Sequence, residues 1–94
     1  MIGPYPKLDL TPFSQEYINK IVSDSVQRNT IEDLLIDVQR VLKILELPEY
    51  REHNPDYSKE DIRSLIVKFT CIFRALLLEK AKNSETIYTS YNND

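Results

Sequence analysis

The feature that most constrains the fold is a long apolar run near the end of the chain, from Ile62 to Leu78. Its apolar residues recur every three or four positions, which predicts a long helix over about residues 59 to 82. Eight of them fall within an arc of roughly 140° on a helical wheel, which should face the core and anchor the fold. They are Ile62, Leu65, Ile66, Phe69, Ile72, Phe73, Leu76 and Leu77.

The same helix carries a second, thinner apolar stripe on nearly the opposite side, formed by Val67, Cys71 and Leu78. Spacings of four and seven residues make a seam on which another helix could lie. The preceding helix also has apolar residues outside its main stripe, namely Ile36, Ile44 and Leu47. Two explanations stay open: the terminal segments cover these residues, or they form a surface for self-association or for a partner helix.

Two further helices precede the long one. Thr11-Pro12 resembles a helix start, and the first helix should run from there to about Arg28. Thr30 with Asp33 resembles a capping arrangement for a second helix over residues 31 to 47, which Pro48 stops. Residues 48–57 read as a polar loop, and Ser58 with Asp61 should start the third helix.

These elements predict an all-α fold, a three-helix up-down-up bundle with a long C-terminal third helix. Residues 1–10 should form an extended N-terminal arm because of Pro4 and Pro6, with Leu8 and Leu10 laid against the body. Residues 11–83 form the single helical domain. Residues 84–94 form a C-terminal tail of strand-like composition without a partner strand, either frayed or docked.

The composition favours a folded protein and excludes several classes of partner. Hydrophobic residues make up 41% of the 94 residues and charged residues 29%, with a net charge of −3 at pH 7, as in ordinary globular domains. The 12 Lys and Arg are spread among 15 Asp and Glu, so nucleic acid is not expected as a partner. We expect no secretory signal and no membrane span, because charges interrupt the apolar run.

The sequence offers little for chemistry. Cys71 is the single cysteine, so no internal disulfide forms and an intracellular protein is expected, with Cys71 as a small buried hydrophobe. His53, the single histidine, lies among loop carboxylates whose spacing matches no metal-ligand pattern. Gly3, the single glycine, lies outside any strand-to-helix turn, so no phosphate-binding loop is expected. We therefore predict no enzyme activity, no cofactor and no metal.

The tyrosines outside the helices complete the list of candidate contacts, because tyrosine is enriched at binding surfaces. Loop tyrosines also pack as lids over small cores. The sequence thus predicts a non-catalytic protein-interaction module, a homo-oligomer or a small subunit of a larger assembly, with a protein partner. Its contacts would be Ile36, Ile44, Leu47, Val67, Cys71, Leu78, Tyr50 and Tyr57. The alternative is a small acidic helical inhibitor or antitoxin that blocks a basic partner.

Overall fold

Four α-helices make up the regular structure in the computed structural model, which describes the backbone of residues 5–92 and the side chains of residues 5–83. The predicted all-α class is confirmed. The predicted count of three helices is wrong, because a short helix forms inside the expected loop. Residues 1–4 of the predicted arm and residues 93–94 of the predicted tail lie outside the described range. The helices are α1 (Gln15–Arg28), α2 (Ile31–Glu46), α3 (Pro48–His53) and α4 (Lys59–Asn92).

Helix α1 begins later than the Thr11-Pro12 signal predicts. Ser14 is the N-cap, and its hydroxyl accepts a hydrogen bond from the Tyr17 amide at 3.1 Å, the usual way to satisfy a free donor of the first turn. The Thr11 amide instead donates to the Asp9 carboxylate at 3.1 Å. The helix start at Thr11 is therefore wrong, since Thr11 is held in the arm.

A tight corner joins α1 to α2. Asn29 adopts a left-handed conformation with φ 56°, which asparagine tolerates at a helix end, and the Thr30 amide donates to the Ser25 carbonyl at 2.9 Å. Thr30 is the N-cap of α2, but its side chain makes no capping hydrogen bond. Its φ of −119° and ψ of 15° lie outside the extended region that side-chain capping requires, so that prediction is wrong.

Pro48 ends α2 and also starts α3. Leu47, the residue before the proline, is extended, as steric conflict with a following proline demands. Proline suits the first position of a helix, where its missing donor costs nothing, and the chain turns into α3. Asn54 ends α3, its amide donating to the carbonyls of Tyr50 and Arg51.

Helix α4 is longer than predicted, since it ends at Asn92 and not near Lys82. It starts as expected: the Ser58 hydroxyl accepts from the Asp61 amide at 3.1 Å, and the Asp61 carboxylate accepts from the Ser58 amide at 3.0 Å. Residues 59–92 contain neither glycine nor proline, so no strong helix breaker follows Asn83. The backbone of residues 84–92 is therefore helical where the sequence predicts a tail.

The core lies along α4 in two adjoining clusters. Near its start, Leu65 packs with residues of α2, α3 and the following loop; further along, Leu76 packs with α2 residues and is flanked by α1. Both leucines are fully buried. The molecule is elongated, 58 by 25 by 23 Å, because 34 helical residues span about 51 Å at 1.5 Å each.

Candidate interaction surfaces

The three residues of the predicted second stripe lie on an uncovered face of α4. Val67 and Leu78 are 58% and 66% exposed, and Cys71 is exposed as well. The expectation that Cys71 is buried is therefore wrong, because it lies on the side of α4 that faces away from Leu65 and Leu76 in the core. We call Val67, Cys71 and Leu78 the α4 seam.

The charged residues three or four positions from a residue of the α4 seam are basic. Residues three or four positions apart are neighbours on a helix surface, and every charged residue at that spacing from a seam residue is a cation. Arg63 and Arg74 are exposed, and neither forms an ion pair with another residue whose side chain is described. The cations at these positions are Arg63, Lys68, Arg74 and Lys82.

The α4 seam continues into a shallow groove between α1 and α4. Leu78 lines this groove together with Val22, Val26 and Ala75. Val26 is 43% exposed, so the apolar strip on α4 widens towards α1. A helix lying on the seam would therefore meet apolar side chains from two elements.

A second apolar surface lies between α2 and α4. Ile36 and Leu77, 48% and 43% exposed, line a groove there together with Phe73. Leu77 was predicted to face the core; it lies at the edge of the wide stripe and is only partly covered by α2. We call Ile36 and Leu77 the α2–α4 patch.

Acidic residues predominate on the α2 side of the α2–α4 patch, whereas the charged residues three positions from Leu77 on α4, Arg74 and Lys80, are basic. Ile36 has three acids and one base, Arg40, within four positions on α2. Glu32 is paired with Lys80 at 3.2 Å, whereas Asp33 and Asp37 form no ion pair with another residue whose side chain is described. Only the α2 side of the patch therefore carries charge of the opposite sign to that around the α4 seam.

The other two predicted contacts on α2 belong to neither surface. Ile44 is half-buried and packs against the core cluster near the start of α4. Leu47, 42% exposed, lines an open cavity at the corner of α2 and α3, together with Ile62 and Ile66. The predicted contact residues thus do not form one surface on a single chain.

Tyr50 and Tyr57 are not surface contacts. Tyr50 is fully buried and Tyr57 is 7% exposed, and their rings lie 6.4 Å apart in the core. In this conformation the arm and the core cover both rings, so contact of Tyr50 or Tyr57 with a partner stays a prediction. The alternative, that loop tyrosines pack over a small core, describes them correctly, because both lie beneath the N-terminal arm.

The arm is held by hydrogen bonds from side chains to its main chain. The Tyr50 hydroxyl donates to the Pro6 carbonyl at 2.6 Å, and the Asn54 side-chain amide donates to the Tyr5 carbonyl at 3.3 Å. The Asn54 amide also donates to the carbonyl of Tyr50 at 3.1 Å. Burial raises the pKa of the Tyr50 hydroxyl above its ordinary value, so the neutral donor is the favoured form.

Two more donors hold the next part of the arm. The Tyr57 hydroxyl donates to the Leu8 carbonyl, and the Lys68 ammonium donates to the Asp9 carbonyl at 2.6 Å. Leu8 packs against the core as predicted, whereas Leu10 is 37% exposed. We call the four donor residues the arm clamp: Tyr50, Asn54, Tyr57 and Lys68.

Lys68 is an unusual member of the arm clamp, because it is a charged residue only 8% exposed. Its ammonium lies 4.6 Å from the ring centroid of Phe13 and 5.6 Å from that of Phe69. A cation over an aromatic face is attracted by the ring's electrons, which together with the Asp9 carbonyl offsets part of the cost of burial. The sequence places Lys68 only at the edge of the second stripe.

Charged side chains add outer contacts between the arm and the body. Lys7 forms an exposed ion pair with Asp56. The hydrogen bond that Lys7 donates to Asp56 lowers the pKa of the Asp56 carboxyl. The same hydrogen bond raises the pKa of the Lys7 ammonium. Hydrogen bonds from Thr11 lower the pKa of Asp9.

His53 also contacts the arm. Its ring stacks on Tyr5 with centroids 4.5 Å apart, and its Nδ1 lies 2.9 Å from the Glu49 carbonyl. Among the residues with described side chains, no three His, Cys, Asp or Glu lie close enough together to hold a metal ion.

Sequence reasoning missed the arm clamp. The sequence holds one signal for it. Tyr50 and Tyr57 flank the Asn54-Pro55 turn, and the N-terminal arm contains two prolines. Prolines favour an extended chain, whose carbonyls need hydrogen-bond donors from elsewhere in the molecule. For Lys68 no such signal exists, because lysine on an amphipathic helix normally lies in solvent.

No helix in the described part of the chain is both long and apolar enough to cross a membrane. Comparisons of the chain with protein-family models, with curated proteins and with solved structures gave no match.

Proposed function

We propose that this protein is a non-catalytic protein-interaction module that assembles head to tail with copies of itself, the α4 seam of one copy packing on the α2–α4 patch of the next. The observation that carries the proposal is the exposure of Val67 and Leu78, at 58% and 66%. Single exposed apolar residues are common. Here they lie in line on one helix face and continue into the α1–α4 groove.

Charge complementarity supports a second copy as the occupant. The charged residues three or four positions from the α4 seam are all cations, and Glu79 is the one acid among the described residues that line the groove beside Leu78. Acids such as Asp33 and Asp37 predominate around Ile36 on the α2 side of the patch. Opposite charges at the border of an apolar contact steer association and fix its register. The opposite charges of the α4 seam border and of the α2 side of the patch therefore support a second copy as the occupant.

The same charges disfavour a symmetric contact of one seam with another. In such a contact Arg63 and Arg74 would meet the basic border of a second seam, and like charges across an interface are unfavourable. A heterologous contact avoids this repulsion, and it produces a ring or an open filament, depending on whether the rotation closes.

Complementation between two variants tests this arrangement. V67E/L78E disables the seam and leaves the patch intact, whereas I36R disables the patch and leaves the seam intact. By light scattering, the wild-type mass should rise with concentration, each variant alone should stay monomeric, and an equimolar mixture should form a one-to-one dimer. Circular dichroism should show unchanged helicity in both variants.

Leu47→Glu is the matched control, because Leu47 is 42% exposed and belongs to neither surface. This variant should assemble as the wild type does. A strictly monomeric wild type would refute self-association. Assembly of the wild type without dimer formation in the mixture would refute the head-to-tail contact. Unfolding of V67E/L78E would show that the seam belongs to the core.

A further inference from the structure

The cleft that holds the arm is built from buried donors. Each member of the arm clamp is at most 8% exposed, and their donor atoms meet the carbonyls of residues 5, 6, 8 and 9. These residues belong to neither helix nor strand. A donor that the docked arm shields from water needs an acceptor, and the arm carbonyls provide one for each member of the clamp. When the arm leaves, water or another extended chain must accept these hydrogen bonds.

Recognition through carbonyls tolerates many sequences, because every peptide carries them. Selectivity then comes from the few arm side chains that are partly covered. Tyr5, Pro6 and Leu8 are half-buried, whereas Lys7 is exposed and Leu10 is 37% exposed. The cleft therefore selects an aromatic residue, a proline directly after it and a leucine two positions further on.

We propose that the arm clamp is a binding site for an extended segment of a partner protein with this spacing, and that the chain's own arm occupies the site as a competitor. The arm of a second copy is a weaker candidate. It carries the same contacts but competes with a tethered arm whose effective concentration is about millimolar. A partner segment with better-covered apolar side chains overcomes that competition.

Peptide binding to a chain with a loosened arm tests the proposal. The probe is a fluorescein-labelled peptide of residues 5–12, measured by anisotropy against the full-length wild type and full-length Y5S/L8S. The apparent dissociation constant equals the intrinsic one divided by the fraction of sites that are free. Y5S/L8S should therefore bind the peptide at least about tenfold more tightly than the wild type.

Two controls separate clamp recognition from nonspecific adsorption. Adding Tyr57→Phe to Y5S/L8S keeps the ring but removes the donor to the Leu8 carbonyl, so peptide binding should weaken severalfold. Replacing the amide between Leu8 and Asp9 of the peptide by an ester weakens that carbonyl as an acceptor, and it should weaken binding in the same direction.

The proposal is overturned if helical Y5S/L8S binds the peptide no better than the wild type does, or if Tyr57→Phe changes nothing. Should Y5S/L8S unfold, nuclear magnetic resonance of the wild type decides. Unlabelled peptide at millimolar concentration should shift the side-chain amide signals of Asn54, and unchanged signals would refute exchange at this site.

Discussion

Lys68 and Leu78 lie ten positions apart on the same helix, and their exposures are the reverse of what their side chains favour. The lysine is 8% exposed and the leucine 66%. Lys68 lies beneath the N-terminal arm, which supplies the Asp9 carbonyl and the ring of Phe13. No segment with described side chains covers Leu78 in the same way.

The difference shows that the arm side and the seam side of α4 differ in what covers them. The arm side needs acceptors for buried donors, and the chain supplies them from residues 5–9. The seam side presents apolar side chains, and no side chain among residues 5–83 covers Val67 or Leu78, which are 58% and 66% exposed. A buried polar group without a partner is far more costly than an exposed apolar one. Of these two surfaces, the seam is therefore the one that can stay exposed at little cost.

The largest expected effect is the difference in unfolding free energy between a substitution in the core of α4 and one in its seam. Leu76→Ala should lower the free energy of unfolding by about 2–5 kcal/mol, because it leaves a cavity in a packed cluster. Leu78→Ala removes the same atoms from the exposed face and should change it by less than about 0.5 kcal/mol in the monomer. Urea unfolding at low protein concentration measures both changes.

Comparable losses from the two substitutions would mean that Leu78 is covered within a single chain. The seam would then be part of the core, and the contrast with the arm side would disappear.

Most of the fold follows from local patterns in the sequence. The Ser58–Asp61 cap is confirmed, and so is the wide stripe of α4 except for Leu77, which is 43% exposed. Periodicity and capping depend on residues only a few positions apart. The start of α1 and the extent of α4 were wrong. In the first case Asp9 competes for the Thr11 amide, and in the second no breaker follows Asn83.

The arm side was harder to predict because its contacts join distant residues. Tyr50 and Pro6 are 44 positions apart, and Lys68 and Asp9 are 59 apart. No periodicity relates residues at such separations. The exposed seam was found from the wheel alone, since its three residues share one helix face. Local surfaces are therefore more predictable than surfaces completed by a remote segment.

An intermediate effect tests the arm side. Tyr50→Phe should lower the free energy of unfolding by about 1–2 kcal/mol, because it removes a buried hydrogen bond and leaves the Pro6 carbonyl without that donor. Hydrogen exchange measured at the same time should show faster exchange in the arm than in α2. Unchanged stability would mean that water replaces the hydroxyl and that the clamp contributes little.

The Tyr50 hydroxyl should make the free energy of unfolding fall at alkaline pH. Its pKa is raised in the folded state, so its contribution is complete below the ordinary value of 10.0 and is lost as the pH rises towards the folded value. Urea midpoints of the wild type should therefore decline above pH 10. Tyr50→Phe should decline less over the same range.

The smallest expected effect concerns the outer ion pair of the arm. Asp56→Asn removes the partner of Lys7, and exposed pairs contribute little to stability. Because Lys7 lowers the pKa of Asp56, the contribution of the pair is present above the ordinary value of 3.8 and is lost as the pH falls through the lower folded value. Urea midpoints of wild type and variant should differ slightly at pH 7 and converge in acid. If Asp56→Asn loosened the arm as much as Tyr50→Phe does, the surface ion pair would contribute as much to holding the arm as the buried hydroxyl. The buried donors would then not be what distinguishes the arm side of α4 from the seam side.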